Sequence, residues 1–127
     1  MARSNFEKLQ VYRLSERLAE ATWSIVGVWD GFARSTLGRQ LVTAADSIGA
    51  NIAEGIGRGT PLDNRRFVRI ARGSLHETQH WLRRAHSRGL LTADQIDTLK
   101  PLIDELAPRL NAYLGSIGKA REGTRDL

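Results

Sequence analysis

Residues 60–89 read TPLDNRRFVRIARGSLHETQHWLRRAHSRG, a stretch with a helix-start signal at one end and a helix-end signal at the other. Threonine followed by proline is typical of a helix start, because threonine suits the N-cap and proline the first helical position. Glycine at position 89 is typical of a helix end. Between these two signals no alternation of apolar and polar residues indicates a strand. The stretch therefore predicts one long helix from Pro61 to about Ser87.

Breakers on the N-terminal side of this stretch indicate two earlier helices. The first is expected from about Phe6 to Val28. The second is expected to start near Ser35 or Thr36, since either hydroxyl can cap a helix. It ends in a glycine-rich turn over residues 55–59, whose glycines supply the positive φ that a tight reversal needs.

A fourth helix follows the long one. It opens at Thr92 with the pattern of a capping box and carries a wide apolar stripe. Pro101 and Pro108 are expected to kink or delay this helix. Four helices with short links predict an all-α fold, an antiparallel up-down four-helix bundle.

Length and composition fit one folded domain. The chain has 127 residues, 41% of them hydrophobic, which predicts a single domain over 1–127 with a bundle over 5–118 and a frayed tail over 119–127. The absence of cysteine excludes disulfides and thiolate metal sites. No apolar run is long enough for a signal peptide or a membrane span. We therefore expect a soluble, cytoplasmic protein that does not bind membranes.

Positive charge is concentrated in one segment. The chain has a formal net charge of +5, and residues 58–88 hold eight arginines against only Asp63 and Glu77, a local net charge of +6. A basic segment of this kind makes polyanions the first class of partner to test. A merely solvated face has the same composition, so the helical geometry must decide between the two.

The third helix arranges its basic residues in a stripe. If Phe67 marks the direction of the core, the basic residues lie on the opposite side of the helix and extend over about 27 Å of its axis. The predicted nucleic-acid-binding residues are Arg65, Arg69, Arg72, His76, His80 and Arg83. Because arginine binds phosphate oxygens bidentately, the stripe predicts salt-sensitive binding of an RNA or DNA backbone with little dependence on sequence. A protein-interaction scaffold that recruits an acidic partner is the alternative.

The first helix shows two apolar faces, of which a bundle can bury only one. The surplus face predicts an oligomer interface with aromatic anchors, formed by Leu9, Tyr12, Ala19, Trp23 and Val26.

Residues 76–80 match the pattern H-E-x-x-H, in which two histidines hold zinc and the glutamate acts as general base. A zinc hydrolase is therefore a further, weaker hypothesis. The pattern needs a third ligand and a substrate cleft, and the other histidine, His86, lies on a different face of the same helix. No serine or other nucleophile is paired with a base at a spacing typical of a catalytic site. We therefore expect no enzyme, no metal site and no cofactor.

Four short motifs carry a resemblance to a known family. They are Phe6-Glu7-x-Leu9-x-Val11-Tyr12, Asn51-Ile52-Ala53-Glu54-Gly55, Ala71-Arg72-Gly73-Ser74-Leu75 followed by Glu77, and Gly89-Leu90-Leu91. Over about residues 5–118 the chain resembles the bacterial four-helix-bundle proteins, also called the intervening-sequence proteins of large-subunit ribosomal RNA. The resemblance implies an up-down bundle that forms a homopentamer. It also implies relatives that serve diversity-generating retroelements, in which a basic pentamer associates with a reverse transcriptase and nucleic acid.

The resemblance also bears on individual residues. Glu77 matches the acidic position of the family motif, which makes the H-E-x-x-H match a coincidence. The motif residues imply a polar network between the second and third helices, formed by Asn51, Glu54, Arg72, Ser74 and Glu77. The chain departs from the family pattern in having Gly49 before Ala50 and Val42-Thr43 where a basic pair is usual. The second departure removes positive charge from the second helix.

Overall fold

A computed structural model describes Phe6 and residues 9–118 of the chain, and these residues contain helices and no β-strand. Helix α1 spans Gln10–Gly27. Helix α2 spans residues 31–57 without interruption, as an α-helical turn Gly31–Ala33, a π-helical turn Arg34–Gly38 and an α-helix Arg39–Gly57. Helix α3 spans Pro61–Ser87 and α4 spans Ala93–Ser116. The four-helix bundle is confirmed, and the predicted frayed tail lies outside the described residues.

Contacts between the helices give their relative directions. The start of α3 meets the end of α4, where Arg65 donates a hydrogen bond to the carbonyl oxygen of Ile117. The start of α1 also meets the second half of α4, where Arg109 donates to the side chain of Gln10. Helices α2 and α3 pack side by side across a link of only three residues. Each helix therefore runs opposite to its neighbours.

The helix starts follow the capping signals in two cases and depart from them in one. Thr60 accepts a hydrogen bond from the backbone N–H of Asp63, and Thr92 and Gln95 form the expected capping box. Helix α2, however, starts at Gly31 rather than near Ser35 or Thr36, because the carboxylate of Asp30 caps it by accepting from the backbone N–H of Ala33 at 2.9 Å.

The two hydroxyls that were expected to cap α2 lie inside it instead. In the π-helical turn, Thr36 and Ser35 donate to the carbonyl oxygen of Phe32 at 2.6 and 3.3 Å. Side-chain hydroxyls can bond a carbonyl three or four residues earlier as readily as they cap. Composition alone therefore does not distinguish the two uses.

Both prolines of α4 lie inside a helix that is continuous from Ala93 to Ser116. Pro101 and Pro108 are exposed. The carbonyl groups that they leave without a backbone partner can therefore bond to water, and neither proline ends the helix.

A side chain also ties the two turns at one end of the bundle to each other. Trp29, in the turn between α1 and α2, is buried, and its indole Nε1 donates to the carbonyl oxygen of Leu90 at 3.0 Å. Leu90 lies in the turn between α3 and α4. The tryptophan thus joins two turns that are 61 residues apart in the sequence.

Small residues let α2 and α3 approach closely. Ala44 and Gly55 of α2 and Ala71 and Ser74 of α3 are buried. A Cβ added at Gly55 would lie 2.6 Å from Oδ1 of Asn64 and 3.2 Å from the backbone oxygen of the same residue. Gly55 therefore serves close packing inside the helix, and within the predicted glycine-rich turn only Gly59, at φ +82°, has positive φ.

None of the helices in the described part of the chain is long and apolar enough to cross a lipid bilayer.

The approach of α2 to α3 predicts the effect of Gly55→Ala. The added methyl group meets backbone and side-chain atoms of Asn64, so we expect a loss of about 1–3 kcal/mol of unfolding free energy. Gly73→Ala is the matched control, because Gly73 is an exposed residue of α3 with nothing within 4 Å of an added Cβ. It should gain about 0.5–1 kcal/mol, since alanine is the better helix former. Urea denaturation measures both, and equal effects would contradict the close approach.

Candidate nucleic-acid interface

The buried residues of α3 fix the direction in which its basic residues point. The buried side chains are Val68, Ala71, Ser74, Leu75, Thr78, Leu82 and Ala85. Their mean direction lies about 40° from that of Phe67, toward the side occupied by Val68. Phe67 is therefore at the edge of the core and is only half-buried.

Packing around Phe67 explains this displacement. A Cβ atom added at Gly55 would lie 3.1 Å from the Cβ of Phe67. The Phe67 side chain therefore lies at the seam, the line of closest contact between α2 and α3. The guanidinium groups of Arg58 and Arg66 lie 5.0 and 5.7 Å from the centre of its ring. A phenylalanine between two arginines is stabilised by cation–π contacts at the surface and does not mark the centre of the core.

With the core so oriented, the basic stripe leans toward α4 instead of lying opposite the core. Arg65 donates from Nη1 to the carbonyl oxygen of Ile117 at 2.9 Å. Arg72 donates from Nη1 to Oδ1 of Asn111 at 3.3 Å. Both arginines are half-buried. Two of the six predicted binding residues thus connect α3 to α4, with only part of each guanidinium left for a ligand.

The other four predicted residues form what we call the free cationic row: Arg69, His76, His80 and Arg83. All four are exposed. The ion pairs within the described residues are Arg58–Glu54, Lys100–Asp104 and Arg109–Glu105, and none involves the row. From Arg69 to Arg83 the row extends about 21 Å along α3. Its arginines present uncompensated positive charge to solvent.

The three chemical residues of the H-E-x-x-H match, His76, Glu77 and His80, are exposed on α3. Among the described residues, no three histidine or acidic side chains lie close enough together to hold a metal ion. The ring of His80 instead packs edge-on against Trp81, with ring centres 4.7 Å apart. Within the described residues, the arrangement therefore has no third protein ligand of the kind that a zinc site requires.

The predicted polar network is present only in part. Asn51 donates to the backbone oxygen and the hydroxyl of Ser47, and Ser74 donates to the same hydroxyl at 3.1 Å. Ser47 therefore connects the two predicted residues across the seam between α2 and α3. Sequence reasoning missed Ser47, although its position four residues before Asn51 places both on one face of α2.

The three other predicted members of the network lie elsewhere. Glu54 forms an ion pair with Arg58, one turn later in the same helix. Arg72 bonds to α4, as described above. Glu77 is exposed and makes no ion pair with a described residue. Among the described residues, no hydrogen bond or ion pair of Glu54, Arg72 or Glu77 joins α2 to α3.

The surplus apolar face of α1 is narrower than the sequence indicates. Val26 is only 4% exposed and packs against Gly38 of α2, so it is a core residue of the single chain. Leu9, Tyr12 and Ala19 are half-buried. Trp23, at 64% exposure, is the member that presents a large apolar surface to solvent.

The anchoring role of Arg65 predicts a loss of stability when it is removed. Arg65→Ala deletes a charged hydrogen bond to Ile117, so we expect a loss of about 1.5–3 kcal/mol of unfolding free energy. Arg69→Ala is the matched control, because Arg69 is exposed on the same helix, and its effect should stay within about 0.5 kcal/mol. Thermal or urea denaturation of the two variants distinguishes the anchor from the free residue. Equal stability of both variants would mean that Arg65 does not hold α4.

The model of one protein family, described as 23S rRNA-intervening sequence protein, matches residues 7–112, which is well over half of the chain. No curated protein matches the sequence. The matched range includes α1, α2, α3 and most of α4. This family is not known as a family of enzymes. The chain belongs to the 23S rRNA-intervening sequence protein family.

Proposed function

We propose that this protein is a non-enzymatic helical bundle that binds the phosphate backbone of RNA or DNA through the free cationic row of α3. The observation that carries the proposal is the exposure of Arg69 and Arg83 without an ion pair to any described carboxylate. An arginine that no carboxylate neutralises can offer its planar N–H groups to a phosphate.

The dimensions of the row suit a polynucleotide. Its length of about 21 Å corresponds to roughly six steps of a nucleic-acid strand at about 3.4 Å each. His76 and His80 lie between the two arginines and add ring N–H donors. Such contacts position a backbone and do not read bases, so binding is expected to be similar for different sequences. The name of the family refers to an intervening sequence of 23S rRNA, which makes RNA the first polymer to test.

Assembly into a homo-oligomer is the second element of the proposal. Trp23 lies beside Val26, Val42 and Gly38 in a shallow depression between α1 and α2. A large exposed aromatic side chain beside apolar neighbours is typical of an interface anchor. In the pentamer that the family resemblance implies, five copies of the row would act together and strengthen a weak site by avidity.

A scaffold for an acidic protein is the second candidate, and one observation favours it. A groove of about 480 Å³ lies between α3 and α4, with Leu82, Leu99 and Ile103 in its wall, Arg83 beside them, and the ion pair of Lys100 with Asp104 at its edge. An amphipathic segment with acidic residues on its polar side would suit this groove. Such a protein would bind neither RNA nor DNA.

Reversing one charge in the row tests the proposed function. Arg69→Glu should weaken binding of mixed-sequence RNA and DNA alike and reduce the slope of log K against log salt concentration by about 1. Arg17→Glu is the matched control, because Arg17 is exposed on α1 and the variant has the same net charge. Fluorescence anisotropy at several salt concentrations measures both. If the two variants lose affinity equally, general charge rather than the row binds the polymer.

Sedimentation velocity tests the oligomer. Trp23→Glu should lower the sedimenting mass, because it places a charge on the proposed interface. Leu62→Glu is the control, since Leu62 is 70% exposed at the opposite end of the bundle. A wild-type chain that sediments as a monomer would contradict this part of the proposal and leave the basic row unaffected.

A further inference from the structure

A cleft lies between α2 and α3 at the end of the bundle where α2 begins and α3 ends. Its volume is about 690 Å³, within the range of roughly 300–1,000 Å³ that small-molecule sites occupy. Two aromatic and two arginine side chains line it: Phe32 and Arg39 of α2, Trp81 of α3, and Arg88, the residue that directly follows α3. None of these four residues belongs to the free cationic row.

The pairing of the two helices sets the level of each residue in the cleft. Ser47 of α2 lies opposite Ser74 of α3, and the helices run in opposite directions. Trp81 lies seven residues after Ser74 on α3, and Gln40 lies seven residues before Ser47 on α2. Trp81 is therefore level with Gln40 and close to its neighbour Arg39. About two turns further on, Phe32 lies level with Arg88. The cleft therefore contains two layers about 10 Å apart, each with one aromatic and one cationic side chain.

The charge in the cleft is positive and unpaired. Among the residues that the structure describes, no carboxylate lines the cleft and neither Arg39 nor Arg88 forms an ion pair. Phe32 is 79% exposed, so its ring is open to a ligand.

One buried donor belongs to a side chain that lines the cleft. The Nε1 of Trp81 has no acceptor within the described part of the chain. An unsatisfied buried donor is costly, so a ligand that supplies an acceptor oxygen or ring nitrogen to Trp81 is favoured here.

We propose that this cleft binds two neighbouring nucleotides of a single-stranded RNA or DNA, with one base on Phe32, the next on Trp81, and the phosphates on Arg39 and Arg88. The inference rests on the proposed function, because it assigns the kind of nucleic acid. Layers about 10 Å apart exceed the 3.4 Å rise of stacked bases, so the two bases must be unstacked. A duplex cannot offer base faces in this way, whereas aromatic rings beside arginines are typical of single-strand sites.

Removal of the exposed ring tests the cleft. The probes are a short fluorescein-labelled RNA strand of mixed sequence and the same strand annealed to its complement. Phe32→Ala should weaken binding of the single strand roughly 5- to 150-fold, the range expected for one lost base–aromatic stack, and leave duplex binding unchanged. Val28→Ala is the matched control, because Val28 is 77% exposed near the same end and does not line the cleft. It should leave both affinities unchanged.

The possible results separate this inference from the proposed function. If the wild-type chain binds the duplex and not the single strand, the cleft inference fails and the basic row stands. If it binds neither, both fail. An equal loss for Phe32→Ala and Val28→Ala, or no loss for either, overturns the cleft alone. A lower sedimenting mass for Phe32→Ala with unchanged RNA affinity would assign Phe32 to a contact between copies, which also overturns it.

Discussion

The close seam between α2 and α3 is the constraint on which the surface of this bundle depends. Gly55 allows the backbones to approach, and Ser47 bonds to Ser74 across the contact. Because successive residues on a helix differ by 100°, fixing one side of α3 fixes the direction of every other side chain on it. The seam therefore determines which arginines reach solvent, which reach α4, and which side chains line the cleft at the start of α2.

The arginines of α3 share a residue type and differ in what their guanidinium groups contact. Arg65 bonds to a backbone carbonyl at the end of α4, whereas Arg69 has no ion pair among the described residues and is open to water. Net charge counts both equally, although a phosphate would meet them differently. In a basic bundle of this family, the hydrogen-bond partner of each arginine is therefore more informative than the number of arginines.

Signals that act within a few residues of each other could be predicted from the sequence. The caps at Thr60 and Thr92 are of this kind, since a hydroxyl and a nearby backbone N–H decide them locally. The direction of the core could not be predicted, because Phe67 is apolar in the sequence but is held at the edge of the core by the seam with α2. The burial of Val26 could not be predicted for the same reason, since its contact with Gly38 exists only when α1 and α2 are packed.

Helix α4 buries only Leu99, Leu106 and Leu110, fewer side chains than α1 or α3. Helices with fewer fully buried side chains than their neighbours open at lower free energy when a native protein unfolds locally. The bond from Trp29 to Leu90 secures the turn before α4, and the bond from Arg65 to Ile117 secures its last turn. The fourth helix is therefore held mainly at its two ends. Its amide protons should exchange with solvent together, as one unit, before those of the other three helices.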